Sequence, residues 1–142
     1  NIVNPDYMFM GQKDFQQLIV LQQMAKDLNF RTKIIGCPIV REEDGLAMSS
    51  RNKYLSLSAR KDALCLHNSL LLAKKLFKQG ITSSNKIIAE MSNLIENNSG
   101  IVDYIEAVDS QTLEHLVELR NRCRIILAVI IENTRLIDNM EM

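Results

Sequence analysis

The apolar positions change period several times along the chain, and each change marks an element. A nearly unbroken apolar stretch at residues 6–10 ends at Gly11 and predicts a short buried strand. Phe15, Leu18, Leu21, Met24, Ala25 and Leu28 then recur at helical spacing. They predict a helix over residues 14–29 that turns this stripe, Met24 included, toward a core. Lys33, Ile34 and Ile35 read as a second strand, closed by Gly36 and Pro38. Strand, helix and strand in so short a span form a βαβ unit, which implies a parallel sheet.

Past Pro38 the pattern loosens. Residues 41–56 are polar, contain Gly45, and are expected to form a loop. A long helix follows over residues 58–79, with Ser58 as N-cap and Gly80 just past its end. Its apolar face holds Ala63, Leu66, Leu70, Ala73 and Phe77. Another helix starts near Ser84 and turns Ile87, Ile88, Met91, Leu94 and Ile95 inward. Residues 102–108 and 124–131 read as strands, with Leu136 and Ile137 as a short third. The expected fold class is α/β: a βαβ unit over residues 1–39, then a small α+β domain over residues 40–142.

Composition narrows the function classes. With 46% hydrophobic and 24% charged residues in a chain of 142, an ordinary globular core is within reach and disorder is not expected. Lys and Arg number 17, matching 17 Asp and Glu, which argues against a dedicated binder of nucleic acid or of an anionic membrane. The neutral total hides an uneven spread: residues 51–86 are basic and residues 87–142 acidic. The lysines of the basic segment fall mostly on the polar side of the predicted helix, so a solvated face accounts for them better than an RNA or DNA surface. No apolar run is long enough to span a bilayer. Cys37, Cys65 and Cys123 are odd in number and fit no metal-ligand or CxxC spacing, which suits a reduced, cytoplasmic setting and leaves no metal ligands to assign.

Two clusters can carry chemistry. Gly11-Gln12-Lys13-Asp14-Phe15-Gln16-Gln17 sits where a strand gives way to a helix. In parallel α/β sheets ligands bind beyond the strand ends, where helix N-termini present free N–H groups. Glycine permits close approach there, Lys13 can meet a phosphate, and Asp14 can accept from ribose hydroxyls. The plainer reading is a glycine turn, an acidic first-turn residue and solvated glutamines. The second cluster is Asp44-Gly45-Leu46-Ala47-Met48-Ser49-Ser50-Arg51-Asn52. Two hydroxyls followed by an arginine suit a triphosphate, and a loop before a helix can close over a nucleotide. Ordinary turn serines and an arginine opening a solvated face explain the same residues.

Both clusters, separated by one crossover, point further than either alone. GQKDFQQL, CPIVREEDGLAMSSRNKYL and the terminal TRLIDN resemble the pantothenate synthetase (pantoate–β-alanine ligase) family of adenylate-forming nucleotidyltransferases. The similarity runs in order along essentially the whole chain. One departure is Gln12, where the family's usual form has Glu. Another is that family members are roughly twice as long and carry a His-x-Gly-His type motif upstream; neither His67 nor His115 lies in one, and both are expected to be structural or surface residues. The chain is therefore expected to be the C-terminal half of such an enzyme, a reading with which the start at Asn1 agrees.

The resemblance implies that residues 1–39 end a Rossmann-like nucleotide-binding domain. It implies an enzyme that joins pantoate to β-alanine through a pantoyl adenylate, with ATP as substrate, Mg²⁺ on its phosphates, AMP and pyrophosphate as products, and a homodimer as the complete form. It assigns Gly11, Gln12, Lys13 and Asp14 to ATP, with Lys13 at the phosphates and Asp14 at the ribose. Gln17 falls to pantoate, the backbone of Val40 to adenine, and Met48, Ser49, Ser50 and Arg51 to a flexible loop over the triphosphate. Alternatives are a related adenylate-forming enzyme, or a half-protein that keeps the family identity without catalysis.

Overall fold

The computed structural model describes residues 2–142; Asn1 lies outside it. The chain divides into two compact units, the first ending at Ile39 and the second spanning Val40–Met142.

In the first unit β1 (Tyr7–Gly11) and β2 (Lys33–Cys37) pair in parallel, Tyr7 opposite Lys33 and Gly11 opposite Cys37. A 3₁₀ turn over Gln12–Asp14 leads into helix α1 (Phe15–Asp27), which supplies the crossover. β2 runs past Ile35 because Gly36 and Cys37 continue the ladder opposite Met10 and Gly11. α1 lies close on the sheet: a Cβ built on Gly36 would stand 2.8 Å from Leu18 Cδ2. Phe15, Leu18 and Ala25 are buried, but Met24 and Leu28 are exposed, contrary to the expected core stripe. Two strands spaced by about 5 Å are narrower than the helix face, so its outer residues find nothing to cover them within this unit. Tyr7 and Phe9 are likewise exposed, their rings stacked 6.5 Å apart.

The second unit packs helices α2 (Leu57–Asp62), α3 (Leu64–Lys78) and α4 (Ser84–Glu96) with an antiparallel sheet of β3 (Ile101–Asp109), β4 (Cys123–Ile131) and β5 (Thr134–Glu141), in spatial order β3-β4-β5. Leu66, Leu70 and Ala73 of α3, Ile87, Met91 and Ile95 of α4, and Ile125, Leu127 and Val129 of β4 form its core. β4 is buried almost throughout because it is the central strand with a helical layer against it.

Three expectations need correcting here. The long helix is two: α2 ends at Asp62, Ala63 caps it, and α3 begins at Leu64, and the N-cap is Ser56, whose hydroxyl accepts from Ala59 N at 3.2 Å, rather than Ser58. The third strand is long, since β5 pairs with β4 from Thr134 to Glu141 through a turn at Glu132 and Asn133. Residues 41–56 are not an open loop. Met48 N bonds Val40 O at 2.9 Å, Glu42 N bonds Leu46 O at 2.8 Å, and a 3₁₀ turn follows over Ser50–Tyr54.

Candidate functional site

The first cluster stands at the C-terminal end of β1. Gly11 has φ −67° and ψ 130°, extended backbone that any residue adopts. A Cβ built there meets no heavy atom within 4 Å, so the open space in front of its backbone is what glycine supplies. Gln12 and Lys13 are half-buried in the 3₁₀ turn, and Asp14 is exposed as the residue preceding α1. Asp14 makes no side-chain cap to the helix, which leaves its carboxylate for other acceptor roles. Gln17 is exposed in the first turn of α1. Gly11, Gln12, Lys13, Asp14 and Gln17 thus gather within this unit at one strand–helix junction.

The second cluster lies in the second unit, on the return arm of the hairpin over residues 40–48 and the 3₁₀ turn beyond it. Leu46 and Ala47 are buried and anchor the hairpin, while Val40, Met48, Ser50 and Arg51 are exposed. Val40 presents its backbone at the hairpin's base, its carbonyl accepting from Met48 N. Ser49 caps the turn, its hydroxyl accepting from Arg51 N at 3.2 Å. Met48, Ser49, Ser50 and Arg51 therefore form a short strap, exposed except for the half-buried Ser49. A cavity of about 500 Å³ beside it is lined by Arg51, Tyr54 and the β4–β5 turn, Glu132 to Arg135.

Ion pairs hold the hairpin. Arg41 lays its guanidinium fork on the buried Asp138 of β5, at 2.7 and 3.0 Å, and donates also to Gly45 O at 3.0 Å. Glu42 accepts from Arg60 of α2 at 2.7 Å and from Asn52 Nδ2 at 2.8 Å. Arg60 pairs with Asp44 as well, at 2.8 Å. The hydrogen bond from Arg60, then that from Asn52, holds the Glu42 carboxyl below its usual range, and Arg60 does the same for Asp44. Gly45 turns the chain at φ +97°, directly over the His67 ring. Burial, then the nearby Arg41 charge, pushes the His67 pKa down. The His67 ring lies against Gly45, and His115 is an exposed side chain 3.6 Å from Glu106.

Among the described residues no three His, Cys, Asp or Glu side chains gather closely enough to hold a metal ion, and no helix is long and apolar enough to cross a membrane.

Comparison with known proteins shows the family of the chain. Residues 1–141 match the family model described as pantoate-beta-alanine ligase. The chain belongs to the pantoate–β-alanine ligase family. It is 49% identical over 143 residues to the pantothenate synthetase of Sulfurihydrogenibium sp. (strain YO3AOP1), covering 99% of this chain and 51% of that one. The crystal structure of pantothenate synthetase from Thermus thermophilus superposes with a TM-score of 0.86 at 39% identity, over 99% of this chain and 51% of that one. A pantoate-beta-alanine ligase from Francisella tularensis, solved in complex with "Beta-gamma ATP and Beta-alanine", superposes with a TM-score of 0.70 at 32% identity, over 99% and 45%. The chain spans about half the length of the curated relatives it matches.

Sequence reasoning does not reach Glu42, Asn52, Arg60 or Asp138 as bracing residues. Glu42 and Asp44 precede Arg60 by less than twenty residues, so charge complementarity is a usable signal for that bridge. Arg41 and Asp138 lie at opposite ends of the unit, and no local pattern pairs them.

Proposed function

We propose that the complete protein condenses pantoate with β-alanine in two steps, the first of which consumes ATP. A pantoate carboxylate oxygen attacks the α-phosphorus of ATP, giving pantoyl adenylate and pyrophosphate. The free amine of β-alanine then attacks the acyl carbon, the bond to AMP breaks, the amine loses a proton, and pantothenate and AMP leave. The observation that carries this reading is the family match across residues 1–141, which includes both clusters. The Francisella relative's complex with a β,γ-ATP species and β-alanine supports the substrates.

Within that reaction the residues divide by chemistry. Gly11 lets the nucleotide reach the backbone, Gln12 stands beside it, Lys13 meets its phosphates, and Asp14 accepts from the ribose. Gln17 hydrogen-bonds pantoate, and Val40 offers backbone to adenine. Met48, Ser49, Ser50 and Arg51 cover the triphosphate. Attack at phosphorus loads negative charge onto phosphoryl oxygens and the departing pyrophosphate, so preorganised cations and N–H or O–H donors are the useful protein contribution. Lys13, Ser49, Ser50 and Arg51 supply them. No side-chain nucleophile is needed. Mg²⁺ accompanies the nucleotide as the triphosphate's own counter-ion.

The first unit, with its exposed β1 and helix face, is read as the end of a Rossmann-like domain, and residues 40–142 as a small α+β domain carrying the nucleotide loop. The complete enzyme is read as a cytoplasmic homodimer.

The test is pantoate-dependent pyrophosphate release from Mg-ATP. It is run on the 142-residue chain and on a chimaera in which this chain replaces the matching half of the Sulfurihydrogenibium relative. Lys13→Ala is expected to lower the single-turnover adenylation rate about 10²-fold, the usual loss of one preorganised donor, with the circular dichroism unchanged. Release by the chimaera and none by the chain alone makes the chain a catalytically incomplete half. An unchanged rate in Lys13→Ala refutes the role given to Lys13, and a chimaera that folds without releasing pyrophosphate refutes the proposed reaction.

A further inference from the structure

The strap over residues 48–51 is gripped at both ends. At its start Met48 N is held by Val40 O. At its far end Asn52 sends both amide hydrogens inward, to Glu42 Oε1 at 2.8 Å and to Ala47 O at 3.2 Å. Asn52 Oδ1 is buried and has no hydrogen-bond partner among the described residues, so the side chain is oriented by its two donors alone. Turning the amide over would point Oδ1 at two acceptors. The second Glu42 oxygen takes the Arg60 guanidinium at 2.7 Å, tying the arrangement to α2. One carboxylate therefore joins the strand before the strap, the residue after it, and the following helix.

We infer that Asn52 and Glu42 are positioning residues for the phosphate-binding strap: their hydrogen bond, braced by Arg60, sets where Ser49, Ser50 and Arg51 present their donors. The inference rests on the reading of residues 48–51 as the triphosphate loop. Neither residue is asked to touch substrate. Asn52 N bonds Ser49 O at 3.1 Å, and Arg51 N bonds Ser49 Oγ at 3.2 Å, so a displaced Asn52 carries the backbone of the whole strap with it. Donors preorganised toward a developing phosphoryl charge lose their effect on small displacement: a misplacement of about 1 Å can cost on the order of 10²-fold in rate.

The polarity of the bridge provides a test that simple loss of stability cannot mimic. Asn52→Asp sets two carboxylates against each other. Glu42→Gln can satisfy Asn52 or Arg60 but must turn its amino group toward the other, which is also a donor. The double variant restores the two contacts of residue 42, because the amide introduced there offers its oxygen to Arg60 and its N–H to the carboxylate introduced at position 52, while Ala47 O stays without its donor. In the chimaera described above, each single variant is expected to lower the adenylation rate by roughly 10- to 100-fold. The KM for pantoate stays within about twofold, and the double variant recovers part of the loss, the bond to Ala47 O remaining absent. Amide hydrogen exchange on the 142-residue chain gives a second readout without activity. Exchange at Arg51 and at position 52 quickens in each single variant and slows again in the double, while β4 is unchanged. Single variants within about twofold of the parent in rate, with unaltered exchange, overturn the inference. So does a double variant as slow as the singles. Arg51→Ala separates the two readings: if it leaves adenylation intact, the triphosphate-loop reading itself has failed and this inference falls with it.

Discussion

Removing the carboxylate of Asp138 tests how the hairpin that carries the second cluster is held. Its side chain is 1% exposed and accepts both arms of the Arg41 fork, at 2.7 and 3.0 Å, while Oδ1 also accepts from Asn139 N at 2.8 Å. Truncation to alanine leaves the guanidinium facing a cavity, with Gly45 O still accepting from it. Breaking a fully buried ion pair costs about 3–5 kcal/mol. Arg41 keeps 21% of its side-chain surface in solvent, so water relieves part of that penalty, and a value near the lower end, about 3 kcal/mol, is expected. For a chain of this size that lowers Tm by roughly 10 °C. Urea unfolding followed by circular dichroism measures it, with Arg135→Ala as the comparison. Arg135 pairs with Asp103 at 2.8 Å, but both are about half exposed, and such surface pairs contribute about 0–1 kcal/mol. Equal, small losses in the two variants would refute the view that the Arg41–Asp138 pair anchors the hairpin.

Glu42 gives a pH prediction. Arg60, then Asn52, lowers its folded pKa, while desolvation and then the like charge of Asp44 oppose this. Its contribution to stability is therefore complete above the unfolded carboxylate range and disappears as the pH falls through the lowered folded value. Tm measured from about pH 6 down to about pH 3 should decline less steeply in Glu42→Gln than in the parent, and parallel curves would contradict the assignment. Gly45→Ala should destabilise by about 1–3 kcal/mol, because the φ of +97° is costly for alanine and its Cβ would stand 2.5 Å from His67 Cδ2. His67→Ala in the same chain should recover only the steric part, as read by thermal melts. Cys65 is buried and its thiol is pushed up to about 12, chiefly by burial, so it should resist iodoacetamide at about pH 8 until the chain unfolds. Half-buried Cys37 should label in the native state, and mass spectrometry of both sites decides it.

The elements legible in the sequence are those whose apolar period is set by one packing partner. α4 shows this well: Ile87, Met91 and Ile95 recur every four residues and all three are buried. α1 shows the opposite case, because its stripe is helical in period yet Met24 and Leu28 remain exposed over a sheet only two strands wide. Period reports the geometry of a helix, whereas burial depends on what lies beneath it. The break between α2 and α3 leaves no mark in the sequence because Ala63 keeps helical dihedrals, φ −59° and ψ −19°, and favours helix as strongly as any residue. β5 reads shorter than it is because Thr134, Asp138 and Asn139 look like surface residues. They are buried, and Asp138 and Asn139 are satisfied by arginines from elsewhere in the fold.

The same distinction separates what is readable in the candidate site from what is not. Residues proposed to meet a ligand stand in compact motifs, so Lys13, Asp14 and the Met48-Ser49-Ser50-Arg51 run can be picked out from a few consecutive letters. Residues that hold those motifs in place find partners by tertiary contact, as Glu42 does with Arg60 and Arg41 does with Asp138. The backbone of the strap is tied internally at Ser49, and the rest of its hold comes from neighbours. Asn52 stands at that boundary, the last letter of the readable motif and the first member of the hidden bracing. Substituting it therefore probes whether the strap binds by its composition alone or by the fixed geometry that the hairpin imposes on it.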